Sequence, residues 1–349
     1  MLKRLVSNFR WGVVPVPGRL IAVIFFVSLF ILPLIFGSSS YALFILSFAN
    51  IFVIFAVSWD VLSGYTGQVN FGHALFFGAG AYGSALLNRY LGWQPAVTIP
   101  LGALIATLIG VVTCFPALRL RGPYLSLLTM AFPLILAGIL MSFQSVTGGS
   151  YGIYGLPAIA GSRVAQYYII LIVMTVSVLI MWKLTDARSR YVRTGLIFHA
   201  IREDEITARA TGINTINYKI LAFVIGGFFG GIAGAMYAHV LSIANPYLLA
   251  LTMSFQVIIW TVFGGMVSIY GPVVGVYTLF LLMDRLRDVP VIATHRFLVL
   301  SAIVIVILMF MPEGIAVWIR DKIERECPRC KLTNGAWRKE CRACGAHLH

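Results

Sequence analysis

Charge is scarce in this chain of 349 residues: 11% are Asp, Glu, Lys or Arg, where soluble proteins carry about 25%. Acid is scarcer than base, with 12 Asp and Glu against 26 Lys and Arg and a formal net charge of +14. Between Leu20 and Trp182 the only charged residues are Asp60, Arg89, Arg119, Arg121 and Arg163. That spacing excludes a nucleic-acid surface in spite of the basic total, because such surfaces need clustered Lys and Arg. Low charge together with 60% hydrophobic residues excludes intrinsic disorder. Before the last 23 residues the sole cysteine is Cys114, which excludes a disulfide-stapled secreted scaffold. There is no Gly-x4-Gly-Lys-Ser/Thr run, so the chain does not bind ATP by a Walker-A loop. Nor do the apolar runs hold paired carboxylates or a His/Asp/Glu cluster suited to hydrolysis or metal catalysis.

What is present is apolar sequence, enough for about ten membrane-spanning helices of about 20 residues each. The expected architecture is all-α and polytopic, with spans at 20–36, 41–62, 69–88, 96–118, 124–143, 166–182, 219–241, 249–267, 270–284 and 297–312. The third and ninth are glycine-rich and are candidates for broken or re-entrant helices. The first run is too long for the core of a cleavable signal and is followed at once by another span, so it reads as a retained helix. With a cytoplasmic N-terminus, ten spans return the C-terminus to the same side. The cytoplasmic segments then hold 21 of the 26 basic residues, as the positive-inside bias requires. This predicts a multi-pass protein of a bacterial or archaeal plasma (inner) membrane with both termini inside. Residues 1–19 form a basic cytoplasmic arm, 20–319 the membrane body with a cytoplasmic loop at 183–218, and 320–349 a separate tail.

Two glycine clusters interrupt the apolar runs. The first holds Gly64, Gly67, Gln68, Asn70, Gly72 and His73; the second holds Gly264, Gly265, Gly271 and Pro272. Small residues allow close helix packing in lipid, and glycine mixed with polar residues at membrane depth suits a broken helix lining a cavity. The similar rhythm of the clusters hints at an internal repeat, as transporters have. Among isolated residues, Asp60 either meets interfacial water or pairs with Arg119 or Arg121. His73 either lines a route through the membrane or satisfies a helix break. His239 and Cys114 read as packed core, and Trp93, Trp182 and Trp318 as interfacial anchors.

These segments, with Leu118-Arg119-Leu120-Arg121-Gly122-Pro123-Tyr124, Thr147-Gly148-Gly149-Ser150, Ala200-Ile201-Arg202-Glu203-Asp204-Glu205 and Met311-Pro312-Glu313-Gly314, give the chain a resemblance. It resembles the permease subunits of branched-chain amino-acid ABC importers, of the LivM type, over residues 20 to about 320. It departs from them at Asp60 (commonly Asn), Asn70 (Ser), Leu196 (Arg) and Val267 (Gly). The resemblance implies a transport subunit and no enzyme, with separate ATPase subunits, a sister permease, an external binding protein and the lipid bilayer as partners. It implies inward movement of leucine, isoleucine or valine by alternating access; urea, short amides and other amino acids are alternatives. So little intramembrane charge fits a neutral or zwitterionic solute. An ion-coupled secondary transporter is a rival reading, though only Asp60 could serve its relay. A membrane enzyme or zinc-dependent sensor acting through the tail is another.

Residues 194–212 read as one short amphipathic helix, started by Thr194 and ended by Gly212, with i,i+4 pairs His199–Glu203 and Glu205–Arg209. By its residues alone it is a connector on the membrane surface. The resemblance makes it the coupling helix that docks on an ATPase subunit, through Ala200, Ile201, Arg202, Glu203, Asp204, Glu205, Ala208 and Gly212. A Glu expected at Ile206 is missing. The tail carries Cys327-x2-Cys330 and Cys341-x2-Cys344. Two such turns can complete a tetrahedral S4 site that favours Zn2+, a zinc-ribbon-like module needing its metal to fold. An iron site or a redox pair is the alternative, and His347 or His349 could replace one ligand.

Overall fold

The computed structural model describes residues 17–36, 40–118, 120, 122–187, 193–289, 293–329, 333–336, 338–341 and 344–347. The described residues are all-α apart from two small two-stranded sheets. The body is built from α1 (Pro17–Phe36), α2 (Ser40–Trp59), α3 (Ala74–Leu91), α4 (Pro95–Ala117), α5 (Pro123–Ser142) and α6 (Arg163–Thr185). Two short helices follow, α7 (Thr194–Glu203) and α8 (Glu205–Ala210). Then come α9 (Thr215–Leu241), α10 (Leu251–Gly264), α11 (Tyr270–Arg287), α12 (Arg296–Phe310) and α13 (Ile315–Ile323). Strands β1 (Ile153–Tyr154) and β2 (Ile243–Ala244) pair antiparallel at one end of the bundle. β3 (Glu324–Glu326) and β4 (Thr333–Gly335) form a hairpin in the tail.

A helix lies at each of the ten positions read from the sequence. Among the described residues, six stretches are long and apolar enough to cross a membrane: Tyr41–Gly64, Pro95–Ala117, Pro123–Ser142, Arg163–Thr185, Thr215–Leu241 and Arg296–Ile323. α3 falls short through Arg89 and Asn88 together with its Gly and Ser, and α11 through Asp284, Arg285 and Arg287 near its end.

α2 is the central helix, with 78% of its most apolar stretch buried, against 11% for the stretch holding α12. α3, α4 and α9 pack together through small residues. A Cβ on Gly80 would sit 2.2 Å from the carbonyl oxygen of Gly231, and one on Gly234 would sit 1.8 Å from that of Phe77. Only glycine permits backbones this close. The exterior is apolar: Leu108, Val112, Leu127, Ile172, Leu298 and Met309 are all exposed. Water would penalise such a surface, whereas a bilayer accepts it. Trp93 and Trp182 lie exposed at helix ends, and Trp318 is exposed within α13. Cys114 and His239 are buried, the latter bonded through its ring nitrogens to Ser84 (2.8 Å) and the carbonyl of Pro157 (2.9 Å).

Candidate functional site: two helix breaks joined at one end of the bundle

α2 does not end cleanly. It passes through a π-helical turn, Asp60–Gly64, and the chain then runs without regular structure until α3 starts at Ala74, so the third apolar run is broken at its start. Backbone groups released at such a break need partners, because hydrocarbon supplies none. Neighbouring helices supply them. The Phe71 N–H donates to Thr129 Oγ1 of α5 (3.1 Å), and the Ala74 N–H to Ser254 Oγ of α10 (2.9 Å). The Asn70 N–H reaches Ser63 Oγ (3.3 Å), and the Asn70 carbonyl accepts from Trp59 Nε1 (2.7 Å). The Val69 carbonyl accepts from Ser126 Oγ (3.2 Å), and Asn70 Oδ1 accepts from the Gly72 N–H (2.7 Å). Gln68 donates to Thr66 Oγ1 (3.2 Å). A Cβ on Gly72 would fall 1.8 Å from the Thr129 carbonyl oxygen, so α5 crosses the break at its closest point there.

His73 is wholly buried at the start of α3, its Nε2 2.8 Å from Ser58 Oγ and its ring stacked on Phe55 at 5.0 Å. Neither ring nitrogen bonds a backbone group of the break: Nε2 faces Ser58 of α2, and Nδ1 is buried without a hydrogen-bond partner among the described residues.

The second break separates α10 from α11 over residues 265–269. Gly264 lies against Gly271, and Gly265 against Gly314 at the start of α13, with glycine–glycine backbone approaches at both points. Pro272 is buried in the first turn of α11. Val267 holds a positive φ of 60°, a conformation that disfavours β-branched residues and favours glycine.

Asp60 joins the two breaks. Its carboxylate is fully buried, and Oδ1 accepts the Val267 N–H at 2.9 Å. This replaces the interfacial-water reading, since the side chain has no exposed surface; Arg119 and Arg121, the other suggested partners, lie outside the described residues. Among the ten residues of the two glycine clusters, only Gly67 is exposed. The other nine are buried inside this subunit.

The loop after α6 is corrected in detail. Residues 194–212 form two helices, not one. The chain turns extended at Asp204 (φ −155°, ψ 107°), whose side chain caps α8 by accepting from the Ile206 N–H (2.8 Å) and Thr207 Oγ1 (2.5 Å). A capping Asp competes with helix continuation, and that is the physical reason for the break. Thr194 does not cap α7; Arg193 holds that position, and Thr194 Oγ1 donates to the Leu184 carbonyl. Glu205 pairs with Arg209 as read from the sequence, and also with Lys219 Nζ of α9 (2.8 Å). Burial works against the Glu205 charge, but Lys219 and then Arg209 outweigh it and hold the carboxyl below its usual range. Among the described residues no ion pair joins His199 to Glu203. The His199 ring instead stands edge-on to Tyr65 at 5.4 Å, and burial with the nearby Arg202 charge lowers its pKa.

α7 therefore touches the first break at two points: His199 against Tyr65, and the Arg202 stem against Gly67, whose missing side chain leaves the space (a Cβ would be 3.3 Å from Arg202 Cγ). Of the residues singled out here, Arg202, Glu203, Asp204 and Gly212 are exposed, Ile201 and Ala208 are buried, and Ala200 and Glu205 are half-buried. Leu196 and Ile206 add exposed apolar surface to the same helices.

In the tail, the sulfurs of Cys327, Cys341 and Cys344 lie within 4.8 Å of one another, with Cys327 and Cys344 at 3.5 Å. Cys330 lies outside the described residues. A tight turn closes the second pair, the Gly345 N–H donating to the Cys341 carbonyl (3.0 Å) and the Cys341 N–H to the Ala346 carbonyl (2.8 Å). In a tetrahedral zinc–thiolate site with bonds of about 2.3 Å, sulfurs stand about 3.8 Å apart. The three thiols fit such a group.

The residues that serve the breaks from afar, Ser63, Ser126, Thr129 and Ser254, were not singled out from the sequence. The available signal was a hydroxyl in an otherwise apolar helix, which occurs too often to mark a partner.

The pattern of the family described as branched-chain amino acid transport system / permease component matches residues 41–311. The chain is 27% identical to the high-affinity branched-chain amino acid transport system permease protein LivM of Escherichia coli K12, over 83% of this chain and 72% of that protein. It is 25% identical to the permease protein LivH of the same organism, over 76% of this chain and 90% of that one. A probable branched-chain amino acid transport permease protein LivM of Methanocaldococcus jannaschii is 24% identical, over 56% of this chain and 66% of that protein.

Proposed function

The chain belongs to the family of branched-chain amino acid transport permease components, and from that premise we propose that it is the membrane-spanning permease subunit of an ATP-driven importer. Leucine, isoleucine and valine are the solutes, because the relatives are described as carrying branched-chain amino acids. The body crosses a bacterial or archaeal plasma membrane ten times, with both termini in the cytoplasm. Separate ATPase subunits, a sister permease and an external binding protein complete the importer. That both LivM and LivH are relatives of this one chain supports a paired permease.

The observation that carries the mechanism is the contact of α7 with the first helix break, Arg202 on Gly67 and His199 on Tyr65. The exposed side of α7 and α8, with Arg202, Glu203, Asp204, Leu196 and Ile206, serves as the docking face for an ATPase subunit. Closure of the ATPase pair then displaces α7. The displacement reaches the first break directly, and the second through the Asp60–Val267 bond. Both breaks thus shift together, which changes access from one side of the membrane to the other.

The test is reconstitution into proteoliposomes with the ATPase subunits, sister permease and binding protein. Leucine uptake should require ATP and all partners. Uptake driven by a proton or sodium gradient without ATP would overturn the reading in favour of a secondary transporter, and uptake of urea with no leucine transport would overturn the solute assignment.

A second reading concerns the tail. We propose that Cys327, Cys330, Cys341 and Cys344 bind Zn2+, on the strength of three thiols gathered at a separation suited to that ion. The metal would act as a structural clip holding the β3–β4 hairpin against the turn at Cys341.

A further inference from the structure

The chain beyond α12 belongs to neither helix break and lies apart from the docking face on α7 and α8. α12 ends with Met309 and Phe310 exposed, continuing the apolar exterior. The turn 311–314 stops it, with Gly314 at a φ of 91°, and α13 begins. One side of α13 is packed: Ala316 and Val317 are buried, and a Cβ on Gly265 of the second break would lie 2.7 Å from Val317 Cγ2. The other side is open. Trp318 and Ile319 are exposed, and Lys322 Nζ stands 3.6 Å from the centre of the Trp318 ring. A Trp ring suits the headgroup level of a bilayer, and a Lys stem lying along it carries the ammonium toward phosphate.

Positive charge follows at once. Residues 320–349 hold eight Lys and Arg against four Asp and Glu. Lys322, Arg325, Arg329, Arg338 and Lys339 are all exposed, and the ion pairs among the described residues engage none of them. Arg320, by contrast, bonds Asp321 and the Tyr270 hydroxyl at the start of α11 (2.9 Å). The β3–β4 hairpin is tied to α13, since the Ala336 N–H donates to the Ile323 carbonyl at 2.7 Å. A cluster of about four to eight Lys and Arg beside a membrane span attracts anionic lipid headgroups through the field of the leaflet, and needs no fitted pocket. Exposed Trp and Ile in the same segment add the apolar half of an interfacial surface.

We propose that α13 and the tail form a docking surface for an anionic phospholipid leaflet. Trp318 and Ile319 enter the acyl boundary, and the five cations lie over the headgroups. Two observations select lipid as the occupant: the excess of positive charge, and the direct continuity of this surface with the lipid-exposed end of α12. The surface needs only a bilayer beside α12, whatever solute the chain carries. It also has a mechanical consequence. α13 touches the second break through Gly314 and Val317 and bonds α11 through Arg320, so a leaflet that holds α13 also steadies that break.

The test places the full chain in lipid nanodiscs and reads Trp318 as the fluorescence difference between the parental protein and Trp318→Phe. Discs of one overall composition contain phosphatidylcholine and phosphatidylglycerol, and either lipid is brominated near the headgroup end of its acyl chains at equal mole fraction. Brominated phosphatidylglycerol should quench Trp318 about threefold more strongly, and about 0.5 M NaCl should bring the two lipids together by screening. The combined variant Lys322→Gln, Arg325→Gln, Arg329→Gln, Arg338→Gln and Lys339→Gln should do the same at low salt, with quenching by phosphatidylcholine retained. Should that variant lose quenching by both lipids, the salt comparison on the parental protein decides alone. Equal quenching by the two lipids in the parental protein at low salt would overturn the surface, as would a preference that survives either the salt or the five substitutions. Loss of Trp318 quenching by both lipids once ATPase subunits are bound would overturn it too, and assign this face to a protein contact.

Discussion

Asp60 is a buried acid in the π-helical turn that ends α2, and it holds the Val267 N–H 207 residues away. The acceptor matters more than the charge. Asp60→Asn keeps a carbonyl oxygen in reach of Val267, so thermal unfolding of the detergent-solubilised protein should stay near the parental midpoint. Asp60→Ala leaves the Val267 N–H buried and unpaired, and should lower stability by about 1–3 kcal/mol. A second pair of substitutions separates two kinds of glycine. Gly72→Ala drives a Cβ against the Thr129 carbonyl oxygen, a backbone atom that cannot step aside, whereas a Cβ on Gly138 meets nothing within 4 Å. Gly72→Ala should sharply reduce folded yield. Gly138→Ala should be neutral or stabilise by up to about 1 kcal/mol, as a helix interior gains from alanine. Equal effects in the same unfolding assay would contradict this geometry.

At the scale of elements, α8 is fixed to α9 by Glu205, which bonds Arg209 of its own helix and Lys219 of α9. Its folded pKa lies below the ordinary carboxylate value, about 4.3 in the unfolded chain. The sign follows from that direction. The contribution is present above the unfolded pKa and is lost as pH falls through the folded one. Hydrogen exchange across 205–215 should therefore show an added acid-induced opening, beyond the intrinsic pH dependence, that begins below about pH 5. Glu205→Gln should be opened already at neutral pH and show no such added step.

Helix positions were legible in the sequence because long apolar runs and islands of charge are local signals. The break before Ala74 was legible in part, from glycine next to Gln, Asn and His. Its partners were not. Thr129 is 58 residues from Phe71 and Ser254 is 180 from Ala74, and no local pattern encodes a contact across that distance. The division at Asp204 was missed because Glu205–Arg209 favours one continuous helix, while the capping power of Asp204 was passed over.

The whole molecule has two separate interiors. The buried side chains of the helical body form one continuous core, and Cys327 and Cys341 form a second with Cys344 and Ala346 packed on it. So small a core has little stability without a metal. Purified protein should carry about one zinc per chain, and Cys327→Ser or Cys341→Ser should lose it. Far-ultraviolet circular dichroism should be nearly unchanged, because the body shares none of that core. Equal zinc in all three proteins would rule out the site. The two parts still touch end to end: α13 leads directly into β3, and Gly314 at the head of α13 rests on Gly265.

The first break has one further consequence. Its backbone is held by side chains from α2, its π-helical turn, α5 and α10, through Trp59, Ser63, Ser126, Thr129 and Ser254. In water a hinge can trade such bonds for solvent one at a time and bend by degrees. In hydrocarbon no substitute waits, so the segment either carries its five holders with it or exchanges them together. It behaves as a latch with a few discrete positions, and intermediate angles are high in energy. Under the mechanism proposed above, a conduit gated this way would stay shut to solute leak during the resting interval, and would open only when enough work arrives at once to move several helices.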